Sequence, residues 1–284
     1  MADISAEKVR ELREKSGAGM MDCKRALSST GGDLSEALDL LRKEGVVKAA
    51  KKAGRVTLEG LIGLAISPDR QVAALVEVNC ETDFVARTDQ FQQFLSSVSE
   101  LVIKDKPAAL EALLSLKLGS TTLQETLATL ISKIGENMAI RRFHRIQAGV
   151  GEAIGIYIHA GAKIGVLIRL KGNGVDESLA RDVAMHVAAM MPRYISRKDV
   201  PAAALERERE IARATPDMAG KPANLIDRIL DGKLNRYYSE VCLVEQPFIK
   251  DPTGKKSVGD YIKEKASGAD VLDMVRFQVG EDVS

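Results

Sequence analysis

A carboxylate and an aromatic ring stand side by side at Asp83 and Phe84, inside the run Asn79-Cys-Glu-Thr-Asp-Phe-Val-Ala-Arg-Thr88. Presented together on a rigid turn, the two suit different tasks: the carboxylate perturbs a charged site, and the ring wedges into an apolar pocket of a partner. The same residues also allow a plainer arrangement. Thr82 or Asp83 caps a helix, and Phe84 folds back onto a sheet as its hydrophobic staple. Both arrangements fit the spacing.

Other chemistry is sparse. Cys23, Cys80 and Cys242 are far apart, odd in number and never spaced Cys-x-x-Cys, which argues against a disulfide framework or a zinc site and fits a reducing cytosol. His144, His159 and His186 are too scattered to form a metal motif, so neither metal nor cofactor is expected. A nucleophilic pair such as Cys80 with His159 would make the chain an enzyme, although a cysteine at the end of a buried strand is more often inert. The nearest approach to a phosphate loop, Thr253-Gly-Lys-Lys-Ser257, has Ile249 where the first glycine belongs and Lys256 where the hydroxyl belongs. Gly172-Asn-Gly174 has Glu177 in place of the third glycine of a dinucleotide fingerprint. Aromatic residues make up 4% with no tryptophan, poor material for stacking bases. Lys and Arg total 41 against 40 Asp and Glu, so a net charge of +1 gives no global pull toward nucleic acid or anionic membrane. No apolar run reaches the roughly 18 residues of a membrane span, and no basic-then-apolar signal opens the chain. A cytoplasmic protein with no membrane or direct nucleic-acid contact is expected.

The turn needs elements to hold it. Val72 to Val78 reads as a buried strand rich in valine, and Phe91, Phe94, Leu95 and Val98 recur at helical spacing just after the turn. This unit is repeated. Leu61-Ile-Gly-Leu-Ala-Ile-Ser, Val72 to Val78 and the helix after Phe84 match Ala153-Ile-Gly-Ile-Tyr-Ile-His, Ile164 to Leu170 and a helix from Leu179 to Met190. Each half continues in helix, Leu123 to Ile134 in the first and a hairpin within Ala202 to Tyr237 in the second. Each then closes on a strand, Met138 to Phe143 and Asp273 to Val279. Two similar α+β subdomains side by side follow from this pattern.

Ahead of the repeat, residues 1–45 read as a bundle of three short helices. Ser5 caps the first, with Ile4 and Val9 as a staple; Met20, Cys23 and Leu27 mark the second; Asp33 and Glu36 form a capping box before Leu34, Ala37, Leu38 and Leu41, and Gly45 ends the third. Met20 and Met21 beside Lys24 suit either a core or an adaptable contact surface. Val46 to Arg55 is a basic connector, either a solvated helical linker or a face for an acidic partner through Lys48, Lys51, Lys52 and Arg55. In the second half, Pro201 starts a charged helix carrying Ala204, Leu205, Ile211 and Ala212. Gly220-Lys-Pro222 breaks it, and Leu225, Ile226, Ile229, Leu230 and Leu234 return antiparallel. The hairpin either packs on the sheet or projects as a docking device. The expected layout is therefore an N-terminal domain with linker at 1–55, a first core subdomain at 56–149, a second at 150–200 and 236–284, and an inserted helical hairpin at 201–235.

Several long motifs carry a resemblance. Ser16-Gly-Ala-Gly-Met-Met-Asp-Cys-Lys-Arg-Ala-Leu27, Glu77-Val-Asn-Cys-Glu-Thr-Asp-Phe-Val-Ala-Arg87, Lys133-Ile-Gly-Glu-Asn137 and Ala184-Met-His-Val-Ala-Ala189 resemble bacterial elongation factor Ts over nearly the whole chain. The resemblance implies a non-enzymatic guanine-nucleotide exchange factor for the GTPase elongation factor Tu, which binds the GDP form, expels GDP and magnesium to leave the nucleotide-free GTPase, and yields to GTP. It also implies an N-terminal domain similar to ubiquitin-associated domains, a two-part core and an antiparallel hairpin. By the same resemblance Asp83 and Phe84, within Thr82, Asp83, Phe84 and Val85 and flanked by Ala86 and Arg87, enter the GTPase domain near its magnesium site. Met20, Met21 and Lys24 match a contact with the same domain, and His159 matches a histidine of the core that faces the partner. The chain stops soon after Phe277-Gln-Val-Gly280, whereas some members of that family continue into a further helix.

Overall fold

The computed structural model describes residues 4–216 and 221–282. Helices α1 (Ala6–Ser16), α2 (Met20–Ser29) and α3 (Leu34–Ala50) form the N-terminal bundle. The Ser5 hydroxyl accepts from the Lys8 amide, Asp33 accepts from the Glu36 amide, and Gly17 closes α1 in the left-handed conformation at φ 66°. Its core is Val9, Leu12, Cys23, Ala26, Leu27 and Ala37, with Ile4 packed against it. The expected helix end at Gly45 is not where α3 stops. Gly45 is buried, and a β-carbon there would touch Ser132 and the backbone at Ala128 and Thr129. Those contacts are at ordinary van der Waals distance; Gly45 sits inside the helix where it packs on the segment 128–132, and α3 runs on through Ala50.

Strands β1 (Glu59–Ile66) and β2 (Val72–Cys80) lead into the one-turn helix α4 (Asp83–Ala86) and then α5 (Asp89–Asp105). After α6 (Leu110–Ser115), the short pair β3 (Lys117–Leu118) and β4 (Thr121–Thr122) precedes α7 (Leu123–Ile134), the helix that α3 crosses, and β5 (Met138–Gln147). The second half runs β6 (Glu152–Ile158), β7 (Ile164–Lys171), α8 (Glu177–Met190), α9 (Ala202–Arg213), α10 (Ala223–Val241), α11 (Val258–Lys265) and β8 (Asp270–Gln278). The fold is α+β, with antiparallel three-stranded sheets in the orders β1-β2-β5 and β6-β7-β8.

The repeat seen in the sequence extends to irregularities of the backbone. The β2–β5 register shifts between Glu77 and Val78, and the β7–β8 register shifts between Arg169 and Leu170, at matching places in the two halves. Gly63 and Gly155 also correspond. A β-carbon on Gly63 would collide with Leu95 and Ser99 of α5, and one on Gly155 with the backbone of Ala180 in α8, so each glycine lets its covering helix lie on the strand.

Alternation along the central strands divides the core. Ala74, Val76, Val78 and Cys80 face the helices, packing with Phe91, Phe94, Val98, Leu123 and Ile131. Val166, Ile168 and Leu170 do the same against Leu179, Val183 and Val187 of α8. The other faces of the two sheets meet: Ile62, Ala73, Leu75 and Ile146 pack with Ile154, Leu167 and Phe277. On that face the fully buried Glu77 accepts from Arg142 Nε at 2.7 Å and from the Gly280 amide at 3.0 Å, which ties the end of the chain's last strand to the first sheet.

In the hairpin, Ala212 and Leu230 pack with Ile226 and Ile229, and its base rests on Val200, Tyr194, Tyr238 and Cys242. Ile211 and Leu225, expected inside, are exposed. The break expected at Gly220-Lys-Pro222 falls partly outside the described residues. α10 runs without interruption past position 235 to Val241, so no boundary in secondary structure marks the end of the hairpin there.

Candidate functional site

The turn after β2 is built by two residues pointing in and two pointing out. Val85 is 8% exposed and Ala86 2%, and both pack into the core between the first sheet and its helices. Phe84 is 77% exposed. The staple arrangement is therefore not adopted, because the inward positions of a four-residue helix are already filled by Val85 and Ala86. For the same reason Val85, expected among the partner-facing residues, is an anchor of the turn and not part of its exposed surface. Asp83 is half-exposed and pairs with the flanking Arg87 at 2.7 Å, one helical turn on.

Thr82 caps α4, its hydroxyl accepting from the Val85 amide at 3.4 Å. The helix ends after one turn because Thr88 caps the next, accepting from the Phe91 amide. Thr82 is itself held from a distant part of the chain. Its amide donates to Glu136 Oε2 at 3.0 Å and its hydroxyl to Glu136 Oε1 at 2.7 Å. In the opposite direction, Glu81 Oε1 accepts from the Asn137 amide at 2.6 Å and lies 3.3 Å from Arg55. The Asn137 amide, with Arg55 behind it, holds the Glu81 carboxyl below the usual range. Glu136 and Asn137 belong to a motif legible in the sequence, yet nothing in their spacing discloses that they grip a turn more than fifty residues earlier.

The Cys80 thiol donates to the Thr82 carbonyl at 3.1 Å and is fully buried. Burial pushes its pKa up to about 12, so the thiol stays protonated and is a poor nucleophile. His186 is fully buried: Nδ1 accepts from the Ile249 amide at 3.2 Å and Nε2 donates to Gln246 at 2.9 Å, a satisfied neutral ring. Among the described residues no group of three His, Cys, Asp or Glu side chains is placed to hold a metal ion, and no helix is long and apolar enough to cross a membrane.

The remaining expected contact residues fall in two other places. Met20 at 48% and Met21 at 74% are exposed at the start of α2, with Lys24 exposed one turn later, so these thioethers are surface and not core. α2 packs on α3 and α3 on α7, whose C-terminal end leads to Glu136. Of the connector's cations, Lys48 pairs with Asp22 at 3.1 Å and Arg55 with Glu81, which leaves them turned toward the chain's own acids. His159 lies on the surface after β6, its Nδ1 3.0 Å from the Tyr157 hydroxyl. Its turn is fastened to the first sheet, since the Ile62 amide donates to the Ala162 carbonyl at 2.7 Å and Lys163 pairs with Glu59. Glu59 is the register partner of Cys80, so the His159 turn and the Phe84 turn leave the first sheet at the same end.

Residues 81–281 match the family described as elongation factor TS. Over 280 residues, covering 99% of this chain and 93% of the relative, the chain is 45% identical to elongation factor Ts of Thioalkalivibrio sulfidiphilus (strain HL-EbGR7). The family match includes the Phe84 turn and Glu136, the match to the relative spans both sheets as well, and the chain belongs to the elongation factor Ts family.

Proposed function

We propose that this translation elongation factor acts as a guanine-nucleotide exchange factor for the GTPase elongation factor Tu, working by binding alone and breaking no bond. The observation that carries this reading is Phe84: a large apolar ring, 77% exposed, standing on a one-turn helix whose Val85 and Ala86 are locked into the core. An exposed aromatic on rigid backbone loses little entropy when it enters a pocket, which suits it to be a central anchor. Asp83 beside it brings a carboxylate to the same spot, where it competes for the ligands of a bound magnesium ion or repels the phosphates that the ion screens.

The energetics follow from linkage. A protein that binds the nucleotide-free GTPase more tightly than the GDP-bound form weakens GDP by the same factor. In this reading Met20, Met21 and Lys24 on the N-terminal domain and His159 on the core add contacts that hold the two proteins together while the Phe84 turn intrudes. The division into an N-terminal domain, two core subdomains and a hairpin is part of the same proposal: the first anchors and the core carries the intruding turn.

Titration calorimetry with elongation factor Tu tests the reading. The affinity for nucleotide-free elongation factor Tu is expected to exceed that for its GDP-bound form by at least about tenfold, the scale of a typical coupling between sites. Equal affinity for both forms would rule out exchange by linkage.

A further inference from the structure

The exposed turn cannot hold its own shape. A helix of four residues makes too few internal hydrogen bonds to repay its nucleation, so the direction in which Phe84 points must be set from outside. Val85 and Ala86 fix depth through burial. They do not fix the cap. Thr82 has one hydroxyl, which accepts from the Val85 amide and donates to Glu136 Oε1, while the Thr82 amide donates to the second oxygen of the same carboxylate. One carboxylate thus takes both donors of the capping residue and sets the hydroxyl rotor, leaving its lone pair directed at the start of α4.

We infer that Glu136 is the positioning residue of the intruding turn, holding Thr82 so that Phe84 and Asp83 meet the partner in one fixed orientation. The inference rests on the exchange reading and adds to it a residue outside the turn. The partner segment shares the same device in reverse, since Glu81 captures the Asn137 amide while the Asn137 side chain donates to the Arg55 carbonyl at 2.9 Å. Residues 53–55, 81–82 and 136–137 are therefore gathered at one knot. Both oxygens of the Glu136 carboxylate are engaged by Thr82.

Glu136→Gln separates positioning from general stability. An amide offers one acceptor in place of two, so it can no longer accept from the Thr82 amide and the Thr82 hydroxyl at once, and the hydroxyl rotor is released. Saturated GDP release from elongation factor Tu is expected to slow about tenfold, the effect of losing one charge-assisted hydrogen bond. The deciding readout is a double-mutant cycle with Phe84→Ala in the full chain. If Glu136 acts by aiming the ring, Glu136→Gln changes the release rate by less than about twofold once the ring is gone. A tenfold cost in both backgrounds, or none in either, overturns the inference. Should Glu136→Gln fail to fold, Thr82→Val removes the hydroxyl arm together with the cap of α4, keeps the amide arm, and carries the same cycle. Amide hydrogen exchange on the free protein distinguishes failure of the inference from failure of the exchange reading. The Thr82 amide is expected to be protected in the parent and to lose that protection in Glu136→Ala, which has no acceptor to offer it, while the amides of α5 keep theirs. Unchanged protection of Thr82 overturns the clamp even where GDP release is normal. Lost protection in a chain that never releases GDP upholds the clamp and rejects the function.

Discussion

Truncating Phe84 to alanine should remove most of the partner affinity while leaving the fold untouched. A buried phenylalanine contributes roughly 150–250 Å² of surface. With 77% of the residue exposed in the free protein, that surface is still available to a partner. At about 25 cal/mol per Å², covering it yields roughly 3–5 kcal/mol, from which ordering the side chain subtracts about 1 kcal/mol. Phe84→Ala is therefore expected to cost about 2–4 kcal/mol in the complex with nucleotide-free elongation factor Tu, a loss of roughly 30-fold to 1,000-fold. The free protein should not notice, because an exposed side chain away from caps and cores changes stability by about 0.5 kcal/mol or less. Surface plasmon resonance on the nucleotide-free partner, paired with thermal unfolding of the variant, reads both numbers. An affinity within threefold of the parent would refute the reasoning, since the ring would then be a solvated surface residue. A large drop in melting temperature would refute it differently, by showing that the ring supports the fold.

Three further outcomes follow from the structure. Asp83→Asn keeps the shape of the turn and removes its charge, so it should slow GDP release when magnesium is present and have much less effect after chelation, whereas Phe84→Ala impairs both; stopped-flow release with and without chelator separates them, and an Asp83→Asn defect indifferent to magnesium would contradict the role given to the carboxylate. Replacing Met20 and Met21 together with alanine should raise the concentration needed for half-maximal release on the order of tenfold with little change in the saturated rate, and a fall in the saturated rate alone would place the N-terminal domain in the exchange step itself. Burial holds the His186 pKa below its ordinary value, so below about pH 6.5 the unfolded chain takes up a proton that the folded chain refuses, and stability falls as pH falls. His186→Gln removes that titration, and its melting temperature should vary less than the parent's between about pH 7 and 5; equal slopes would show that the ring is protonated in the fold.

Much of this architecture is written in local pattern. The strand at Val72 and its partner at Ile164 declare themselves because burial on both faces demands runs of branched apolar residues, and the matching Leu61-Ile-Gly63 and Ala153-Ile-Gly155 disclose the repeat. What escaped is what depends on distant partners. Gly45 carries the signature of a helix end, yet it lies inside α3, buried against α7 over eighty residues later. Phe84 and Val85 are both apolar and adjacent, and only the fold shows that Val85 and Ala86 have taken the inward positions, leaving the ring outside. Ile211 keeps the spacing of a core residue but is exposed, while its neighbour Ala212 takes the inward place against Ile226, Ile229 and Leu230. The Glu136 clamp is a pair of hydrogen bonds between segments with no periodicity in common, and local pattern carries no trace of it.

The central claim is that this chain expels GDP from elongation factor Tu, and stopped-flow release of a fluorescent GDP analogue tests it most directly. With excess unlabelled nucleotide and magnesium present, adding the protein should accelerate release by at least about tenfold, with a rate that rises with its concentration and then saturates. Release at the spontaneous rate, at concentrations where the two proteins are shown to be in complex, would contradict the account.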